Sequence, residues 1–159
     1  MDAKYREIIS RCKNAIAEVA VRQAGEIQRT GCVEIYSNWK HWICLFPQHA
    51  AGAKYKRHVA LEPWQSQLVR QHPRPFIAGL IHSDGCRAMN KVRHLRNDQV
   101  VRYEYPRYFF SNRSAEIRAL FMWACGLIGV QSRQNNAWNI SVAKRASVEI
   151  LDSFIGPKR

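Results

Sequence analysis

The sequence predicts an α+β protein whose C-terminal half runs helix, strand, strand, helix, strand, strand, helix. Three observations carry that expectation. An apolar helical segment, Phe76 to Asp84, holds the adjacent small residues Ala78 and Gly79 and ends in Asp84-Gly85. The apolar spacing then switches to period two over Cys86 to His94, as a half-buried strand requires. The charge is lopsided: 25 Lys and Arg against 12 Asp and Glu give +13 over 159 residues, and such an excess points to a polyanionic partner.

Each element follows from local pattern. Ile8, Ile9, Cys12, Ile16, Val19 and Ala20 recur at helical spacing, so Tyr5 to about Ala24 reads as a helix that Gly25 ends. Gly31 to Phe46 reads as two short strands about a turn at Ser37-Asn38. The aromatics Trp39, Trp42 and Phe46, with Trp64, are expected to form a small core for this first half. Pro47 to Ala60 is a basic loop. Glu62 to His72 is a helix with Pro63 in its first turn; Trp64, Leu68 and Val69 are expected inward. Pro73-Arg74-Pro75 breaks it and starts the next helix. Cys86 to His94 and Val100 to Phe110 pair across a turn at Leu95 to Gln99, and Pro106 marks a bulge or an edge. Ser114 caps a helix that Gly129 stops. A hairpin follows about Asn135-Asn136, then a last helix from Ser147 to Ile155. Residues 5 to 72 repeat part of this order. They read as a degenerate αββα half-unit, although two helix-hairpin-helix segments also resemble each other by chance. The expected domains are residues 1–72 and 73–159.

Composition excludes several classes. Apolar residues at 47% and charged residues at 23% describe a folded chain. No apolar run approaches the roughly 18 residues of a membrane span, and Met1 to Arg6 lacks the pattern of a signal peptide. Five cysteines without a CxxC pair favour reduced, buried thiols and a cytoplasmic location. Cys32, His41, Cys44 and His49 do not have standard zinc spacing. No glycine-rich phosphate loop or Ser-His-Asp signature occurs.

The element order, headed by Ala78-Gly79-Leu80-Ile81 and Asp84-Gly85, resembles the LAGLIDADG homing endonuclease family. Six of nine motif positions match, and the resemblance covers residues 75–156. Ile77 and Ser83 are mild departures; His82 stands where the motif has its first acid. The resemblance implies an αββαββα unit with a curved antiparallel sheet, and a metal-dependent, sequence-specific double-stranded DNA endonuclease. It implies that motif helices of two half-units pack through Phe76, Ala78, Gly79 and Leu80. With one motif per chain, that means a homodimer matched to a pseudo-palindromic site. Asp84 would bind Mg²⁺ or Mn²⁺, and Lys144 would stabilise charge on the scissile phosphate. The sheet would lie in the major groove. There Arg87, Lys91 and Arg93 are expected to form a basic stripe, with Arg102, Arg107, Gln131, Arg133, Asn135 and Asn136 as companions. Arg, Asn and Gln suit bidentate base contacts. Two further readings stand beside this one: a catalytically inactive DNA-binding regulator of the same fold, and an RNA-binding intron-splicing cofactor.

Overall fold

The computed structural model describes residues 1–49, 53, 55, 57–96 and 99–156. The expected turn residues Asn97 and Asp98, and half of the basic loop before Arg57, lie outside them. The protein is α+β, with two antiparallel sheets. It divides into two compact units, Met1–Ala51 and Gly52–Gly156.

The first unit begins with helix α1, Arg6–Ala20, which buries Ile8, Ile9 and Ala20. It stops earlier than the apolar pattern suggests, because Val21 adopts φ 53°. That left-handed conformation is strained for a β-branched residue. Strands β1, Gly25–Arg29, and β2, Cys32–Tyr36, pair from Gly25–Tyr36 to Arg29–Cys32. The turn is therefore Thr30-Gly31, and Gly31 supplies the required φ of 74°. The hairpin thus lies one element earlier than expected. Trp39 to Phe46 is not a strand. It contains a one-turn helix, α2, Trp42–Leu45, in which Trp42 meets Trp39 and Phe46 at ring separations of 5.2 and 5.8 Å. An aromatic run at positions i, i+3 and i+7 satisfies a helical turn as well as a strand. These rings do not make a closed core, since Phe46 is exposed.

The second unit begins with helix α3, Pro63–Gln71. Glu62 and Gln65 form a reciprocal capping box at its start. This rotates the helix so that Gln65 and Val69 face inward, while Trp64 and Leu68 are exposed. Val69 packs into the core of the second unit. Helix α3 therefore belongs to that unit, and the division precedes it instead of following residue 72.

Helix α4, Pro73–Asp84, leads without a linker into strand β3, Gly85–Arg96. Strand β4 is Gln99–Ser111, helix α5 Ala115–Leu127, strand β5 Arg133–Gln134, strand β6 Asn139–Val142 and helix α6 Arg145–Asp152. The sheet order is β3-β4-β6-β5, antiparallel throughout. Pro106 lies in the stretch of β4 that β6 does not reach, where a missing N–H is tolerated. Ile77 and Ile81 of α4, Phe121 and Cys125 of α5, and Val148 and Leu151 of α6 pack on Tyr108, Phe110, Ile140 and Val142. Phe110 stacks on Phe121 at 4.5 Å. In an antiparallel sheet, cross-strand partners share a face. The Tyr108–Val142 and Phe110–Ile140 pairs therefore define the helix-covered face. Residues one step along each strand point the other way.

Gly85 is the pivot of this unit. A Cβ there would sit 2.9 Å from the Ile81 Cα and 2.9 Å from the Phe109 carbonyl oxygen. Neither is the end of a flexible side chain, so Gly85→Ala forces backbone to move. The expected cost is about 1–3 kcal/mol, seen as a lower denaturant midpoint at unchanged m-value.

Candidate nucleic-acid interface

Asp84 is the last residue of α4, and its side chain is exposed. The close approach at Gly85 brings it beside the end of β4. There Asn112 donates from Nδ2 to Asp84 Oδ2 at 2.9 Å. Asn112 is held on every side. Its Oδ1 accepts from the Ser114 N–H at 2.9 Å. Its own N–H donates to the Trp138 carbonyl at 3.0 Å, and its carbonyl accepts from Arg118 Nη1 at 2.7 Å. Arg118 is buried on α5 and also holds the Arg113 carbonyl at 3.0 Å. The Arg113 guanidinium lies over the Tyr55 and Trp138 rings at 5.7 and 5.8 Å. His82, in the place of the motif's first acid, turns inward and donates to the Ile155 carbonyl at 3.1 Å.

Among the described residues there is no group of three His, Cys, Asp or Glu able to hold a metal ion. Asp84 offers one carboxylate, with one oxygen engaged by an amide. That fits a hard cation such as Mg²⁺, which keeps several waters and takes phosphate oxygens. It does not fit a cation caged by protein alone.

The expected DNA-binding residues separate onto two faces. Arg87 pairs with Tyr108, Lys91 with Glu104 and Arg93 with Arg102. All six lie on the face that carries the helices. The expected stripe of Arg87, Lys91 and Arg93 does share one face, but the core covers the near end of it. Arg87 is committed there: Nε and Nη2 grip Asp152 of α6 at 2.7 and 2.8 Å. Tyr108 donates to the same carboxylate at 2.7 Å. Lys91 pairs with Glu104 at 3.2 Å. Arg93 and Arg102 directly oppose each other, an arrangement of like charges that an anion would relieve.

Arg107 and Arg133 lie on the opposite, open face, with Tyr103, Tyr105, Asn90 and Ser141. Arg107 donates from Nη2 to the Tyr105 hydroxyl at 2.8 Å, with its guanidinium 5.3 Å from the Tyr105 ring. Its Nε is buried without a hydrogen-bond partner. A shallow recess of about 320 Å³ gathers Arg107, Gln131, Arg133, Asn135 and Lys144. Five of the predicted residues thus come together. Asn136 does not join them, because its Oδ1 closes a turn on the Trp138 and Asn139 N–H groups. Lys144 does not approach Asp84. It follows Val142, which pairs with Tyr108, whereas Asp84 precedes Gly85, which pairs with Phe110. At roughly 3.3 Å per strand residue, that offset keeps the two apart.

The helix face expected between subunits also changes. Phe76, Ala78 and Leu80 pack against their own core. Gly79 is exposed, with nothing within 4 Å of an added Cβ. Pro75 and Ser83, one turn to either side, are exposed with it. Sequence reasoning missed Asn112, Arg113, Tyr105 and the Asp152 partner. Only Asn112 left a local trace, as the Asn-x-Ser that precedes a capped helix.

The Arg87–Asp152 pair links stability to pH. Hydrogen bonds from Arg87 first, then from Tyr108, hold the Asp152 carboxyl below its usual value. Its contribution is present above the unfolded value of about 3.9 and is lost as pH falls through the lower folded value. Arg87→Met is therefore less stable than the parent at pH 7, and the difference narrows below about pH 4. Thermal unfolding followed across pH checks this. Comparison with family models and with curated proteins finds no match.

Proposed function

We propose that this protein is a metal-dependent endonuclease of LAGLIDADG type that cuts double-stranded DNA as a homodimer. The observation that carries the reading is the Asp84 carboxylate. It stands exposed at the end of a helix that leaves Gly79 uncovered, in the same unit as the open sheet face that carries the basic recess. Asp84 would hold Mg²⁺ or Mn²⁺. A divalent cation there supplies Lewis-acid stabilisation of the oxygens around the scissile phosphate. The open face does the binding. Lys144, Arg133 and Arg107 offer charge to phosphates, and Arg107, Gln131 and Asn135 offer donors to base edges. Arg107 is pre-oriented by the Tyr105 ring and hydroxyl, so less side-chain freedom is lost on binding. Lys144 is assigned here to phosphate binding. Arg87 is assigned to the fold.

Pro75, Gly79 and Ser83 recur every fourth residue and form a shallow exposed stripe on α4. Ser83 returns its hydroxyl to the Leu80 carbonyl at 2.9 Å. A second α4 can approach closely along such a surface, which supports pairing of two chains and of two Asp84 carboxylates.

One observation favours a second reading, a DNA-binding regulator. Asp84 belongs to no group of three potential ligands among the described residues, and His82 is turned to a backbone carbonyl. The experiment is Asp84→Asn against duplex DNA. The nuclease reading expects unchanged DNA affinity with cleavage reduced at least ~100-fold, since the metal-holding charge is lost. Cleavage at the parent rate would remove Asp84 from the chemistry, and a parent chain that binds without nicking would favour the regulator.

The sorting of arginines has its own test. Arg133→Ala and Lys144→Ala each reduce the slope of log affinity against log salt by about one. Arg87→Met, measured where it is folded, leaves the slope unchanged. Equal effects from all three would mean that the helix-side face also meets phosphate.

A further inference from the structure

We infer that Asn112 is a positioning residue for Asp84, and that buried Arg118 is the anchor that aims it. The inference rests on the nuclease reading and deepens it. Two contacts leave the Asn112 side chain one orientation. The Ser114 N–H points at its Oδ1 at 2.9 Å, so the amide must present Nδ2 to Asp84 Oδ2, at 2.9 Å. A flipped amide would set two donors against each other at Ser114. One carboxylate oxygen is thereby engaged and the rotation of the group is arrested. The other oxygen is left for a ligand.

The backbone of Asn112 is equally constrained. Its N–H is tied to Trp138 at the start of β6, and its carbonyl to Arg118 on α5. Arg118 is 9% exposed and spends Nη1 on two successive carbonyls, those of Asn112 and Arg113. Its Nε is buried without a partner. A buried guanidinium that fills backbone acceptors while leaving its own donor unpaired is costly. The return on that cost is a segment, 112–114, fixed between α5 and β6 with its amide aimed at Asp84. A carboxylate at an exposed helix end has no other described hydrogen bond to hold it. Such outer partners of a ligating group are worth ~10–100-fold in metal affinity or activity.

The test uses the full chain, a duplex selected by that chain from a randomised library, and Mn²⁺. Asn112→Ala orphans the Ser114 N–H and lowers the melting temperature modestly, but is expected to stay folded and to keep the metal-free DNA affinity within about twofold. It should lower kcat by ~10–100-fold with KM for DNA unchanged, and weaken Mn²⁺ binding to the protein–DNA complex by a similar factor, read by electron paramagnetic resonance. Arg118→Lys, which keeps a donor, should lose less than Arg118→Met. Adding Arg118→Met to Asn112→Ala should cost little more, because both act through one arm. A parent-like kcat in Asn112→Ala overturns the inference. So does a loss of DNA affinity or melting temperature that accounts for the fall in rate. The side-chain amide of Asn112, read by ¹⁵N NMR, separates this from failure of the nuclease reading. If the parent never cleaves, that reading fails and the positioning role falls with it, although the amide signal still shifts in Asp84→Ala. If the parent cleaves and Asp84→Ala leaves the signal unmoved, the arm alone is wrong.

Discussion

The structure of the second unit depends on the contact at Gly85. Helix α4 runs into β3 with no connecting loop, which is possible only because the first strand residue has no side chain. The Ile81 backbone and the Phe109 carbonyl both lie within 2.9 Å of where a Cβ would be. Close packing here has three consequences. It seats Ile77 and Ile81 on Phe110, so that α4 covers the sheet. It sets the register of β3 against β4, beginning at Gly85–Phe110. And it places the carboxylate of Asp84 at the corner where α4, β3 and the end of β4 converge, within reach of Asn112. A longer junction would let the helix end elsewhere, and the carboxylate would lose that partner.

The register then decides the fate of each positive charge. Tyr108 and Phe110 must face the helices, so every residue paired with or alternating from them is assigned to a face. Arg87 falls on the covered side and is neutralised by Asp152. Arg107 falls on the open side with a buried, unpartnered Nε. A net charge of +13 is therefore not one surface feature. Part of it holds helices to the sheet, and part of it is gathered at the recess around Lys144 and Arg133. Arg87 is committed to the fold, whereas the recess lies open to solvent.

Much of the fold was legible in the chain. The element order of the second unit, the α4 motif and both long strands were readable because period and turn chemistry agree there, as in Asp84-Gly85 and the Ser114 cap. The alternation in β3 was also readable. Which face it buries was not, because that depends on β4 and on Asp152, 65 residues from Arg87. In the first unit the polar strand β1 gave no apolar alternation, and Trp39 to Phe46 suited a helical turn as well as a strand. Helix α3 was rotated from expectation by the Gln65 side chain in its capping box. The candidate site was half legible. Asp84 stood out through its context, and Arg107, Gln131, Arg133, Asn135 and Lys144 through their chemistry. Asn112 did not, since its value comes from α5 and β6 meeting around it. Phe76, Ala78 and Leu80 looked available for a partner, but a helix on a sheet must spend its large apolar side chains on its own core. What is left for a second helix is the glycine side.

The central claim is that two chains bring two Asp84 carboxylates to one DNA duplex and cut both strands. The direct measurement is to incubate the unaltered chain with a randomised duplex library and Mg²⁺, then sequence the ends produced. The account predicts paired double-strand ends, dependent on Mg²⁺ and enriched at a pseudo-palindromic sequence. Enrichment of bound duplexes with no broken strand, at any Mg²⁺ or Mn²⁺ concentration, would contradict it.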